Sequence, residues 1–143
     1  MQLETAHFGV IEFNEEDILY FPEGIPGFEA NKKYALIVDQ ETSTNFFFLQ
    51  STEDSQLCFI VTDPFMLYAG YGVDVDDEDV ELLGITDPNN VMTLAIVVIP
   101  EDIKQARVNL KAPILINVDK KIGKQVIQRD DSLPIRYYLQ QNS

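Results

Sequence analysis

Tryptophan is missing from this sequence, histidine and cysteine occur once each, and no lysine or arginine stands between residues 34 and 103. Each shortage excludes something. With Cys58 alone no intrachain disulfide can form, and its neighbours Leu57, Phe59, Ile60 and Val61 predict a buried, inert thiol, because a reactive thiolate needs cationic company. His7 has no serine or cysteine in a nucleophile motif to serve, and G-x-S-x-G, H-E-x-x-H and phosphate-loop patterns are missing. Acidic pairs alone are too common to define a general acid and base, so catalysis is not expected. No stretch approaches the roughly 18 continuous apolar residues of a membrane helix, and the opening MQLETAHFGVIEF lacks a basic region followed by an apolar one. The expectation is a cytoplasmic protein without cofactor or metal, monomeric when alone.

Charge is abundant but unevenly placed. Residues 1–33 hold seven acids and two bases, 34–103 hold fourteen acids and no base, and 104–143 hold three acids and eight bases. A cation-free span of this length cannot be covered by local ion pairs, so unless the basic C-terminal third folds across it, one face is strongly negative. Direct nucleic-acid binding is disfavoured, since phosphate contacts require clustered Lys and Arg. A basic partner suits such a face.

At 143 residues and 45% hydrophobic composition the chain suits one domain, expected over 1–139 with 140–143 frayed. A domain of this size buries about 68–70% of its unfolded surface. The anchoring pattern is RVNLKAPILINVDKKIGKQVIQ at 107–128: an apolar run at 114–118, turn chemistry at 119–123 and a second run at 124–128 read as a β-hairpin, with Gly123 supplying a positive φ. A small hairpin is expected at the N-terminus (2–5 and 10–13), then strands at 18–21, 34–38, 46–49, 57–61 and 92–99, separated by polar turns that include 40–45 and 51–55. The nearly continuous apolar character of these runs predicts cover on both faces. Residues 76–84 read as a short helix with a capping acid and Gly84 past its last turn, 101–106 as a single helical turn, and 133–139 as a docked end. The fold class is therefore mainly β: a single antiparallel barrel-like fold with one or two short helices.

Two places invite a functional reading. The run Asp74, Asp76, Asp77, Glu78, Asp79, Glu81 places acids at the first, third and fifth positions of a calcium loop, but the sixth is Asp79 instead of Gly and the twelfth Ile85 instead of Glu. The calcium reading fails there, leaving a solvated face or a partner-binding patch. Tyr68 and Tyr71, just before it, suit an interface anchor and equally a packed barrel corner. The loop FPEGIPGFE at 21–29, with two prolines and two glycines, follows a fixed path in which Ile25 and Phe28 are apolar anchors.

Taken in order, FPEGIPGFE (21–29), FFFLQS (46–51), CFIVTDPF (58–65), VNLKAPILIN (108–117) and GKQVIQ (123–128) resemble the FliW family of bacterial flagellar assembly factors over residues 3 to about 139. The resemblance implies a small, mainly β, cytoplasmic protein without enzymatic activity. Proteins similar to this bind flagellin, and also CsrA, the small basic dimer that represses translation of flagellin mRNA. It further implies a switch in which flagellin, when it accumulates, occupies the factor and frees CsrA. On this reading the acidic run with Tyr68 and Tyr71 is the candidate contact for CsrA, and Ile25 with Phe28 the candidate contact for flagellin. Two other classes stay open at this point: a small-ligand-binding barrel with Phe47, Phe59 and Ile96 around a hollow interior, and a hydrolase with a carboxylate pair in a cleft.

Overall fold

The computed structural model describes residues 2–6, 9–38 and 46–139. The expectations placed on His7, on the 40–45 turn and on the 140–143 tail lie outside the described residues. In chain order the strands are β1 (Gln2–Thr5), β2 (Gly9–Glu12), β3 (Leu19–Tyr20), β4 (Lys33–Val38), β5 (Phe46–Ser51) and β6 (Cys58–Thr62). Two short helices follow, α1 (Pro64–Leu67) and α2 (Asp77–Leu83). The chain continues with β7 (Val91–Val98), β8 (Arg107–Val108), β9 (Ile114–Asn117), β10 (Ile122–Gln125) and β11 (Tyr137–Tyr138). β1 and β2 pair only with each other among the described residues, and the rest form one sheet in the order β11-β8-β7-β6-β5-β4-β3-β10-β9. Because β9 also pairs with β7, the sheet closes on itself as a seven-stranded barrel.

Closure rests on the length of β7. One edge pairs with β6, while the other carries β9 along Val91–Leu94 and then β8 at Val97 and Val98. β8 and β9 are thus one strand interrupted by a bulge: the register moves from Val97↔Val108 to Leu94↔Ile114. Side-chain and backbone hydrogen bonds hold that bulge. The Asn109 side-chain oxygen accepts from the Lys111 and Ala112 amides at 3.0 and 3.2 Å, and the Gln125 amide donates to the Ala112 carbonyl at 3.0 Å. The Leu110 amide donates to the Pro134 carbonyl at 3.0 Å, which docks the C-terminal segment on the barrel. One pairing is parallel, Tyr20 with Ile122, where β3 meets β10.

Alternation along the strands sends Leu49, Val61, Leu94, Ile114 and Ile116 inward, where they meet Phe21, Ile25 and Tyr34 in a filled core. The other face of β7 presents Ala95 and Val97 to Tyr71 and Leu133, and that of β9 presents Leu115 to Leu83 and Val126. This is why the 114–117 run shows no polar alternation: all four residues are buried. The 21–29 loop packs Phe21 edge-on to Tyr34 and Phe28 edge-on to Phe59, near the starts of β4 and β6. Gly24 is required there, since with φ 69° a Cβ would sit 2.6 Å from the Glu29 Cα.

Three local expectations change. The positive φ of the β9–β10 turn belongs to Lys121 (58°), not to Gly123. Gly123 is needed for a different reason: a Cβ would lie 2.7 Å from Phe21 Cζ, so the ring packs directly on the β10 backbone. Asp76 occupies the N-cap of α2 without a side-chain capping bond, whereas Asp63 caps α1 by accepting from the Phe65 amide at 2.9 Å.

Because Phe21 is completely buried and has no room to retreat, Gly123→Ala is expected to lower the unfolding free energy by about 1–3 kcal/mol. The check is urea denaturation, where the midpoint should fall at constant slope. An unchanged midpoint would mean the ring yields freely.

Candidate functional site

A seven-residue helix has no stability of its own in water, so α2 and the acidic residues before it exist because the β9–β10 hairpin and the residues after it hold them. Leu83 is fully buried against Leu115 and Val126. At the C-terminal end Gly84 takes φ 65°, and the Ile85 amide bonds back to the Val80 carbonyl at 3.0 Å. Buried Asn117 then satisfies two exit carbonyls, donating to Leu83 at 2.9 Å and Gly84 at 3.1 Å, while its oxygen accepts from the Asp119 and Lys120 amides of the hairpin turn. At the other end buried Gln128 clamps the Asp74 backbone from both sides, accepting from its amide at 2.8 Å and donating to its carbonyl at 3.2 Å.

The basic C-terminal third does reach the acidic run, and it sorts the run into two sets. Lys124 Nζ contacts Asp79 Oδ1 at 2.5 Å and Glu23 Oε2 at 3.3 Å, and Asp79 is buried. The Asp79 hydrogen bond, reinforced by Glu23, raises the Lys124 pKa above the ordinary lysine value against the opposing effect of burial. Arg129 meets Asp76 at 3.0 Å with both groups largely exposed, an arrangement of small energetic weight. Asp74, Asp77, Glu78 and Glu81 are exposed, and among the described residues their carboxylates form no ion pair.

Three residues expected at a contact surface point inward. Asp79 is taken up by Lys124, as above. Tyr71 is 7% exposed and its hydroxyl donates to the Leu110 carbonyl at 2.7 Å, so it belongs to the bulge. Ile25 is 1% exposed and fills the barrel, leaving Phe28, at 43%, as the exposed apolar tip of its loop. Tyr68 is half-buried between Tyr71 and Tyr137, with ring centroids 6.3 and 5.3 Å away. Phe59 and Ile96 pack against the filled core, and Phe47, also packed there, reaches the rim of an apolar cleft instead of a hollow interior. Burial pushes the Cys58 thiol up to about 11, away from reactivity. Among the described residues no cluster of three His, Cys, Asp or Glu side chains is arranged to hold a metal ion, and no helix is long and apolar enough to cross a membrane.

A family model described as FliW protein matches residues 2–139. The chain belongs to the FliW family. It is 47% identical to the flagellar assembly factor FliW of Caldicellulosiruptor saccharolyticus over 135 residues, covering 94% of this chain and 88% of that protein. The Caldicellulosiruptor bescii protein of the same name is 47% identical over 140 residues, covering 98% and 91%. A crystal structure of the flagellar assembly factor FliW superposes with TM-score 0.90 at 35% identity, covering 99% of each chain. The residues that hold the acidic surface, Asn117, Lys124 and Gln128, close or occupy the VNLKAPILIN and GKQVIQ stretches through which the FliW resemblance is visible in sequence. Read singly they offered one signal: polar side chains ending otherwise apolar runs.

Two tyrosines separate the contributions of packing and hydrogen bonding. Burial raises Tyr34 and Tyr71 from 10.0 to about 12, so their protonated forms contribute fully below pH 10 and that stability is lost as pH rises from about 10 toward 12. Tyr34→Phe and Tyr71→Phe are each expected to flatten this decline in a pH series of denaturation curves. At neutral pH they should differ. Among the described residues the buried Tyr34 hydroxyl has no hydrogen-bond partner, so its loss is neutral or stabilising, whereas Tyr71→Phe strands the Leu110 carbonyl at a cost of about 1–3 kcal/mol.

Proposed function

We propose that the chain is a non-enzymatic flagellar assembly factor that binds flagellin in the cytoplasm, binds the translational repressor CsrA, and by exchanging the two ties synthesis of flagellin to its export. When free flagellin is scarce the factor holds CsrA and flagellin mRNA is translated. When flagellin accumulates it occupies the factor, and released CsrA represses translation.

The observation that supports this most is the outward set of carboxylates on α2. Asp77, Glu78 and Glu81 stand three and four positions apart on one exposed face, with Asp74 just before them. Like charges at that spacing destabilise a helix by a few tenths of a kcal/mol per pair. The positive end of the helix accommodates Asp77 and Glu78, but among the described residues no base pairs with these carboxylates, which favours a role against something cationic. An RNA-binding protein presents such cations, and opposite potentials speed encounter while making it sensitive to salt beyond about 8 Å at physiological ionic strength. The contact for CsrA is accordingly assigned to Asp74, Asp77, Glu78 and Glu81, with exposed Asp76 beside them. Asp79 holds that surface from behind through Lys124, while Tyr71 and Tyr68 pack on the barrel. Phe28, presented on a loop whose backbone is fixed by the Ile25–Phe28 bridge, is the candidate contact for flagellin, and buried Ile25 sets its position.

Titration calorimetry with purified CsrA at low and high salt tests the first assignment. The combined variant Asp77→Asn, Glu78→Gln, Glu81→Gln is expected to bind at least about tenfold more weakly at low salt and with a shallower salt dependence. Its urea midpoint should change little, since relief of repulsion among the charges offsets the lost interaction of Asp77 and Glu78 with the helix N-terminus. Unaltered affinity and salt dependence would refute the assignment. Phe28→Ser is expected to weaken capture of flagellin and leave CsrA binding intact.

A further inference from the structure

The two ends of the barrel are finished differently. The 21–29 loop fills one with Phe21 and Ile25, but where β4 ends and β5 and β7 begin, a cleft of about 370 Å³ opens among Leu36, Val38, Phe47, Met66 and Met92. A second cleft of about 400 Å³ runs beside it to the flank of α2, lined by Val75, Val80 and Ile85, and the two share Phe65, Val91 and Thr93. Together they form one open apolar trough. Val38, Phe65 and Met66 are 52, 50 and 68% exposed on it. A contiguous set of large apolar side chains in water marks a place where something binds.

The trough also states the charge of its occupant. Apart from Leu115, every described residue lining it comes from the 34–103 span that contains no Lys or Arg. Asp63 lies in its wall, exposed Asp74 and Arg129-paired Asp76 flank Val75, and exposed Glu81 follows Val80. We infer that this trough receives an amphipathic helical segment of a partner, apolar along the face that enters and rich in lysine or arginine along its flanks. Helix-in-groove docking of this kind reads alternate turns of an apolar stripe, and the flexible side chains of Met66 and Met92 adapt to it. A second copy of this chain would bring carboxylates against carboxylates. The inference rests on the reading that the anionic face captures a basic partner, and adds which feature of that partner is held.

Three synthetic helical peptides of equal length serve as probes in fluorescence anisotropy: leucines on one face and lysines on the other, a scramble of the same composition, and a version with glutamates for lysines. The amphipathic lysine peptide should bind, the scramble at least about tenfold more weakly, and the glutamate version not detectably. Met66→Ser with Met92→Ser, which leaves the charge unchanged, should weaken the lysine peptide about tenfold without changing its salt dependence. Equal binding of amphipath and scramble, or indifference to the methionine changes, would overturn the trough while leaving anionic capture standing. Failure of both lysine peptides to bind at low salt would overturn both. Sedimentation showing a dimer of the chain that the methionine changes disperse would assign the trough to a second copy and overturn the inference.

Discussion

The strand Ile114–Asn117 faces two cores at once, and the molecule is built on that constraint. Ile114 and Ile116 complete the inside of the barrel, while Leu115 receives Leu83 from outside. The same four residues pair with β7 on one edge and β10 on the other. Each such apolar side chain contributes about 1.5–3 kcal/mol when removed from water, and here one strand supplies that energy to barrel closure and to the seating of α2 together. A helix of seven residues is therefore carried by the barrel rather than by its own propensity. The acidic surface is a consequence of the β-fold beneath it.

That arrangement decides what becomes of a lopsided charge distribution. The basic C-terminal third folds against the acidic span, with Lys124 meeting it from inside and Arg129 in solvent. Lys124 stands between Glu23 and buried Asp79, and removing it would leave an uncompensated buried carboxylate, a costly defect. Arg129 and Asp76 meet in solvent, where pairing contributes little. Asp79 is neutralised from within, and the exposed carboxylates are left to water apart from the Arg129 contact to Asp76, so folding sorts the charges instead of cancelling them.

What could be read from the residues follows the range of the interactions involved. The hairpin at 114–125, the helix ending at Gly84 and the strands of the barrel rest on local chemistry: apolar runs of strand length, turn residues and a glycine able to take the left-handed conformation. The direction of a single carboxylate does not. Asp79 and Glu78 are neighbours of similar chemistry, and Lys124, forty-five positions away, is what draws Asp79 inward. Gln128 reaches back fifty-four positions to the Asp74 backbone, and Tyr71 thirty-nine forward to Leu110. Residues of this kind make a family resemblance visible while hiding their purpose, because their partners are distant in sequence. Gly123 shows the complementary case, where the requirement for glycine was evident but its cause, the Phe21 ring, lay on another strand.

The proposed exchange of partners sets separate demands on speed and on grip, and the surface meets them with different chemistry. Exposed carboxylates draw a cationic partner from a distance, but in solvent each contributes little once contact is made, so a surface made only of them would release what it attracts as readily as it finds it. An apolar trough has no reach, yet each side chain it covers slows departure. Placing Val75 and Val80 of the trough next to the carboxylates of the same segment puts attraction and retention on one rigid support. The exposed Phe28 tip belongs to the loop that fills the opposite end of the barrel from Val38 and Met92. On the proposed assignments the two contact regions lie at opposite ends of the barrel, so the proposed exchange of partners would run through reach or coupling across it.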